Sequence, residues 1–425
     1  MWYDKIKYLF KDKDLRKQFL LVIFLFVVFR IAANIPVPGI NTSDLMKILN
    51  QNSALGLMNL FTGGAMSNFS VVMLGLGPYI TATIILQLLT MIFPALEKMY
   101  KEEGDAGRQK FNQYARLAAV PLAAFEAYGM LIVFRNQGFI TGLSLPLMIS
   151  SILTITAGAM FLMWIGEIIS EQKMGNGISL LIFAGIVAQL PANIYQLLAT
   201  WDVSRIFYYA LFIALSVAII AGVVVITEAR RNIPVSYAKR MRGMKMYGGV
   251  STYLPLSVNP AGVIPIIFAM SILMFPTMIA SYFGTFSGWI GATALQIGIF
   301  FTNVWTHGVL YFILVVLFTY FYTAVTFDPK TIAENLQRMG GFIPGVRPGR
   351  STAEFIKHIL NRVLFTGAIF LALIAVLPTI VAGITGVTNF TFLVGGTSLL
   401  IVVSVVLETV RQINSQLEMR EYDTF

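Results

Sequence analysis

Ten times along the chain the sequence runs apolar for about the length of a membrane-crossing helix, and this recurrence decides most of what the chain can become. The segments lie near 19–36, 71–93, 115–134, 147–169, 178–198, 206–227, 259–281, 304–326, 359–380 and 394–411. Polar stretches bearing glycine and proline separate them. A helix satisfies its backbone hydrogen bonds within itself, as hydrocarbon demands, and about 20 apolar residues cover ~30 Å. No barrel-type strand alternation runs along the sequence. The expected fold class is therefore an all-α polytopic membrane protein. Only 12% of the 425 residues are charged against 57% hydrophobic, and a soluble chain would carry about twice that charge.

Lysine and arginine set the expected orientation. With a cytoplasmic N-terminus, 26 of the 30 basic residues fall on the cytoplasmic side, and only Arg30, Lys47, Arg135 and Arg205 lie elsewhere. Residues 1–18 and 412–425 are then cytoplasmic tails, and the net charge of +10 is largely a topology signal. The basic start followed by apolar Phe19 to Phe29 resembles a signal peptide. Arg30 follows at once without a clear cleavage site, so this reads as an uncleaved first helix. Five segments fall in each half, 19–198 and 206–411. An odd number reverses the orientation of the second half, so related halves would form an inverted repeat.

The residues needed for most membrane chemistry are missing. The chain has no cysteine, and its two histidines, His307 and His358, are far apart. Walker A, HExxH and GxSxG motifs are also absent. The expectation is a protein that is not an enzyme, with no cofactor and no metal. Two long cytoplasmic loops, about 228–258 and 327–358, mix basic residues with tyrosine, phenylalanine, proline and glycine. Those charges alone could serve topology. The turns Pro344-Gly345 and Pro348-Gly349 suggest instead a shaped tip that docks a partner, where arginine suits carboxylate or phosphate.

The stretch from Phe61 to Leu89, FTGGAMSNFSVVMLGLGPYITATIILQLL, is apolar yet interrupted by Gly63, Gly64, Gly75, Gly77 and Pro78. It reads as a short, weakly helical segment near 55–69 leading into a full span. A re-entrant loop or a poorly packed helix end fits the residues equally. Ile80 with Ile84, and Ile182 with Ile186, each share one helix face. Such pairs are most often core or lipid-facing. Glu126 lies midway along the third segment, where a charge costs about 2.5–3.5 kcal/mol on the insertion scale. A transporter would use such a carboxylate for ion coupling, but no intramembrane basic partner accompanies it.

Six stretches, in order along nearly the whole chain, resemble the SecY family of protein-translocation channel subunits. They are the 61–89 stretch, QKMGNGISLLIFAGI, IPVSYAKR, STYLPLSVNPAGVIPIIFA, NLQRMGGFIPGVRPGRST and GGTSLLIVVSVVLE. The resemblance implies ten helices in two inverted pseudo-symmetric halves around an hourglass pore. A plug comprising Phe61, Gly63, Gly64 and Ser67 would close it from outside. Ile80, Ile84, Ile182, Ile186, Ile267 and Ile401 match the pore ring, whose dry constriction would block ions without selecting among polypeptides. Gln87, Glu126 and Ser271 match polar positions of a lateral gate, though many relatives carry an amide at the position of Glu126. Arg347, with Arg350 beside it, matches the site engaging the SecA ATPase. Family members often show two adjacent basic residues at a ribosome-facing tip; Met244-Lys245 match them here, with Arg242 nearby, so part of that charge is displaced. The implied partners are SecE, SecG, SecA, the ribosome, polypeptides bearing signal sequences, and the lipid bilayer of the plasma membrane.

Overall fold

The structure, a computed structural model, describes residues 12–38, 59, 62–136, 144–199, 206–237, 240–242, 245–247, 251–284, 286, 288–385 and 396–423. Each of the ten apolar segments carries a helix. In chain order these are α1 (Lys13–Ala32), α2 (Gly77–Ile92), α4 (Gly104–Asn136), α5 (Leu145–Glu171), α6 (Gly177–Ala199), α7 (Ile206–Glu228), α8 (Ile264–Phe283), α10 (Val304–Thr326), α12 (Arg350–Thr385) and α13 (Gly396–Asp423). Seven are each long and apolar enough to cross a membrane, and α2 with the short α3 (Pro94–Lys101) makes an eighth if that bent pair is one span. The helices α9 (Trp289–Thr302) and α11 (Pro329–Arg338) complete the set among the described residues.

Local chemistry explains the ends. Asp12 caps α1 by accepting from the Asp14 amide at 2.9 Å. Asp328 caps α11, accepting from the Lys330 amide and the Thr331 hydroxyl at 3.0 and 2.7 Å. The glycine and proline cluster at 75–78 starts α2 rather than bending it, with Pro78 in the first turn where no amide is needed. The bend comes later. Phe93 precedes Pro94 and is held extended at φ −105° and ψ 109°, so α3 leaves α2 at 112°.

Three departures from the sequence expectation follow. The second span begins at Gly77 instead of 71, because 62–76 is a series of turns. The C-terminal tail continues as helix to Asp423. A 14-residue apolar helix, α9, fills most of the stretch between the seventh and eighth segments and packs on α8.

The basic ends of the helices gather on one side. Arg411 bridges to Glu228 at 2.6 Å and Gln416 donates to the Lys173 carbonyl at 2.5 Å, tying α13 to the end of α7 and to the turn before α6. Arg116 and Glu167 join α4 to α5 at 2.5 Å. Between the spans, contacts that leave no room for a side chain bring backbones together. A Cβ on Gly177 would lie 1.9 Å from the Gly166 carbonyl oxygen, and one on Gly158 would lie 2.1 Å from that of Val71. Close glycine approach of this kind is how helices associate where apolar burial offers no drive.

The two long loops are not independent. Strand β1 (Arg230–Tyr237) pairs antiparallel with β4 (Ser251–Ser257) and with β5 (Gly341–Phe342), giving the order β4-β1-β5. Within the first loop, β2 (Arg240–Arg242) pairs with β3 (Lys245–Tyr247). Ile233, Val235, Leu256, Leu336, Ile343 and Ile356 form a small buried cluster under the three-stranded sheet, separate from the membrane core. Ile233→Ala is expected to cost about 2–4 kcal/mol within this unit. Limited proteolysis should cut residues 230–257 faster in the variant while the spanning helices stay protected.

Candidate functional site

The irregular stretch 62–76 lies against the end of α1 and against the middles of α5 and α6, at Gly158 and Gly185. Its own bonds make it compact. The Asn59 carbonyl accepts from the Gly64 amide at 2.9 Å and the Thr62 hydroxyl at 3.1 Å, and the Asn59 side chain accepts from the Ser67 amide at 2.9 Å. Ser67 in turn donates to the Gly64 carbonyl at 2.7 Å. Gly63 and Gly64 adopt φ of +67° and +82°, which side chains rarely tolerate. They also touch α6 directly. A Cβ on Gly63 would sit 2.9 Å from the Gly185 Cα, and one on Gly64 would sit 2.0 Å from the Gln189 amide nitrogen.

Gly185 lies between Ile182 and Ile186 on α6, so the segment rests on the helix that carries two of the six isoleucines. All six belong to one continuous apolar cluster. Ile84, Ile182, Ile186 and Ile401 are buried in it, and the partly buried Ile80 and Ile267 pack against it. Ile80, Ile182 and Ile267 line a cavity of about 80 Å³ bounded also by Thr62, Leu74, Met130 and Phe275. The cavity thus joins the turn segment, α2, α4, α6 and α8 at one place.

Glu126 and Ser271 line the same cavity. Glu126 is 8% exposed, shares a hydrogen bond with the Thr81 side chain, and lies beside the first turn of α2, 3.7 Å from where a Cβ on Gly77 would stand. The Ser271 hydroxyl is occupied by its own helix, donating to the Ile267 carbonyl at 3.0 Å. Gln87 stands apart from the cavity. It shares the Ile80–Ile84 face of α2, is buried, and its side-chain oxygen has no partner among the described residues. α8 packs against both α2 and α4, so these polar groups lie along a seam between the two halves of the chain.

On the basic side, Arg347 is exposed on a tip pinned at both ends. Ile343 to Val346 is a turn closed by a 3.0 Å bond, with Pro344 at its second position and Gly345 at φ +84° at its third. Ile343 is anchored in the small sheet cluster, and the Arg347 carbonyl accepts from buried Thr352 at 2.9 Å. The backbone that displays Arg347 is therefore fixed. Arg350 is also exposed but pairs with Glu354 one helical turn on, at 3.1 Å. Arg242 and Lys245 oppose each other in the β2–β3 pair. Their side chains, and Phe61 entirely, lie outside the described residues.

Residues that sequence reading missed are Asn59, Thr81, Gly185 and Gln189, together with Arg30, whose guanidinium donates to the Gly63 carbonyl. Arg30 did carry a signal, because it is one of the four basic residues on the wrong side for topology. The others are ordinary residue types whose roles come only from three-dimensional neighbours.

Comparison with known proteins agrees with this architecture. A family model described as SecY matches residues 70–410. The chain is 41% identical to a protein translocase subunit SecY of Streptomyces scabiei, covering 98% of both chains. It is 41% identical to that of Aquifex aeolicus, covering 99% of both. Among solved structures it resembles a protein-conducting channel with a TM-score of 0.63 and 19% identity, over 93% of this chain and 91% of the other. A second, at TM-score 0.61 and 20% identity over the same shares, is a SecY channel whose plug domain stabilises the closed state. A third, Sec61 in a canine ribosome-channel complex, gives 0.59 and 18%, again over 93% and 91%.

The contact at Gly63 lends itself to measurement. Gly63→Ala meets both an unfavourable φ and the Gly185 backbone, whereas Gly262→Ala, at φ +62° with nothing within 4 Å, meets only the first. The Gly63 variant should therefore lose about 1–3 kcal/mol more stability than the Gly262 variant. Thermal unfolding of the two purified proteins in one detergent measures the difference.

Proposed function

The chain belongs to the SecY family, and on that premise we propose that it is the passive protein-conducting channel of a bacterial plasma membrane, with both termini cytoplasmic. It moves unfolded polypeptides across the bilayer and releases sufficiently apolar segments sideways into lipid. The observation that carries this reading is the turn segment seated on the isoleucine cluster. A displaceable, glycine-rich plug rests on a dry constriction built of branched apolar side chains. Such a ring dewets a narrow neck and so blocks ions, yet makes no hydrogen bonds that would select among passing chains.

The remaining site residues take roles within the same scheme. Glu126, Ser271 and Gln87 mark the seam along which the halves part, where polar groups weaken the apolar contact and let a signal helix compete for it. Each CH₂ that leaves water for lipid contributes ~0.8 kcal/mol, so apolar segments leave through that seam. SecE clamps the halves, with SecG as a further subunit. Arg347 on its fixed tip engages SecA, and Arg242 and Lys245 contribute charge toward the ribosome. Energy enters through those partners, since the channel itself brings no catalytic group or cofactor.

Two measurements test the reading. Ile186→Asn with Ile401→Asn removes apolar contacts worth ~1 kcal/mol or more per site and lets water into the neck. Because closed and open states of such a channel differ by only a few kcal/mol, ion leak and export of substrates with defective signal sequences should rise together. The matching valine variants should leave both near normal. Normal values for both in a stably inserted Asn variant would remove these isoleucines from the pore. Separately, Arg347→Glu should cut SecA-driven transport by about tenfold or more, the effect of losing one well-placed charge contact, at unchanged channel abundance. Transport at the normal rate would show that the motor docks elsewhere.

A further inference from the structure

Arg30 is not explained by topology. It stands in the last turn of α1 on the side that holds only four of the 30 basic residues. A cation there suits the helix dipole, but its guanidinium reaches away from α1 to the carbonyl of Gly63. Four residues on, Asn34 donates to the Arg30 carbonyl at 2.8 Å and accepts from the Asn68 side chain at 3.1 Å. The end of α1 therefore grips the turn segment at two points, one at each end of 63–68.

The two ends of that segment are held differently. Its base is fixed by backbone. The Val37 amide donates to the Phe69 carbonyl and the Val71 amide to that of Ile35, both at 2.9 Å, and Pro36 pairs with Ser70 as an isolated bridge. Phe69 is wholly buried, adopts φ +44°, and stacks edge-on against Phe134 at 5.4 Å. The tip's backbone bonds run within 59–70 instead, none of them to a spanning helix. Gly63 and Gly64 have no side chains to bury, and only Ala65 and Met66 bring apolar atoms before Ser67. A charge-assisted bond to the tip carbonyl then weighs heavily among the contacts that hold it.

We infer that Arg30 is the latch of the plug, a positioning residue that holds the Gly63 tip against α6, while Phe69 to Val71 form the hinge about which the tip swings when the latch is broken. The inference rests on the reading of this segment as a plug. It assigns the first helix a function that its apolar sequence does not announce. It also explains why a basic residue persists on the side where insertion disfavours it. Asn34 and Asn68 serve as the secondary catch near the hinge.

The test uses the absence of cysteine, which makes any introduced thiol unique. In the intact translocase reconstituted in planar bilayers, Arg30→Ala should raise resting ion conductance by about tenfold or more, and Arg30→Lys should restore most of the seal. Arg30→Ala removes a positive charge from the outer side and so does not oppose the orientation of the helix. A parallel readout is alkylation of Ser67→Cys, at a position 6% exposed, and of Ser404→Cys on α13, at 7%. Arg30→Ala should speed labelling at position 67 and leave position 404 slow. Equal acceleration at both positions would overturn the latch, since Arg30 would then support the fold at large. An unchanged seal in Arg30→Ala, beside a deletion of 63–67 that does leak, would overturn the latch and leave the plug standing. A deletion that does not leak removes the plug and the latch together.

Discussion

Hydrocarbon forgives no unpaired backbone group, and the whole arrangement follows from that demand. Ten segments meet it by becoming helices. The irregular stretch 62–76 meets it by borrowing. Asn59 supplies acceptors for Gly64 and Ser67, and the chain after α1 exchanges two backbone bonds with residues 69 and 71. Protein surrounds the stretch, so its turns never face lipid. Irregular backbone is tolerated there because every neighbour contributes, which is also why a segment with so little side-chain mass can have one defined position.

Polar groups in the seam follow the same logic at a smaller scale. Glu126 is buried beside the first turn of α2, with Thr81 as its hydrogen-bond partner. Gln87 keeps a buried oxygen unpaired among the described residues, at a cost of about 1–3 kcal/mol. The apolar cluster around the six isoleucines is the complement, built of aliphatic, methionine and aromatic side chains.

Much of this was legible in the sequence, and the limits are physical. Length and hydropathy mark a helix in each of the ten segments, seven of them long and apolar enough to cross ~30 Å of hydrocarbon unaided. Gly63 and Gly64 announce an interruption, since only glycine accepts their backbone angles freely. The start of α2 was read too early because 71–76 is apolar enough to be helix, and only Gly75 at φ +58° betrays the turn. The strands beyond α7 escaped notice because β5 is two residues long and pairs with a strand about a hundred residues earlier. Thr81, Gln189 and Asn59 carry no local pattern at all. Their significance arises from what lies across from them.

The three-stranded sheet has a mechanical consequence. β1 continues directly from α7, and β4 leads through the Asn259–Gly262 turn into α8, which carries Ile267 and Ser271. β5 comes from the segment that ends in the Arg347 tip. α12 runs so close to Val258 that a Cβ on Gly367 would lie 2.5 Å from its carbonyl oxygen. A load applied at the tip is therefore borne by a stiff bracket bolted to three spans at once, α7, α8 and α12, instead of being dissipated in a slack loop.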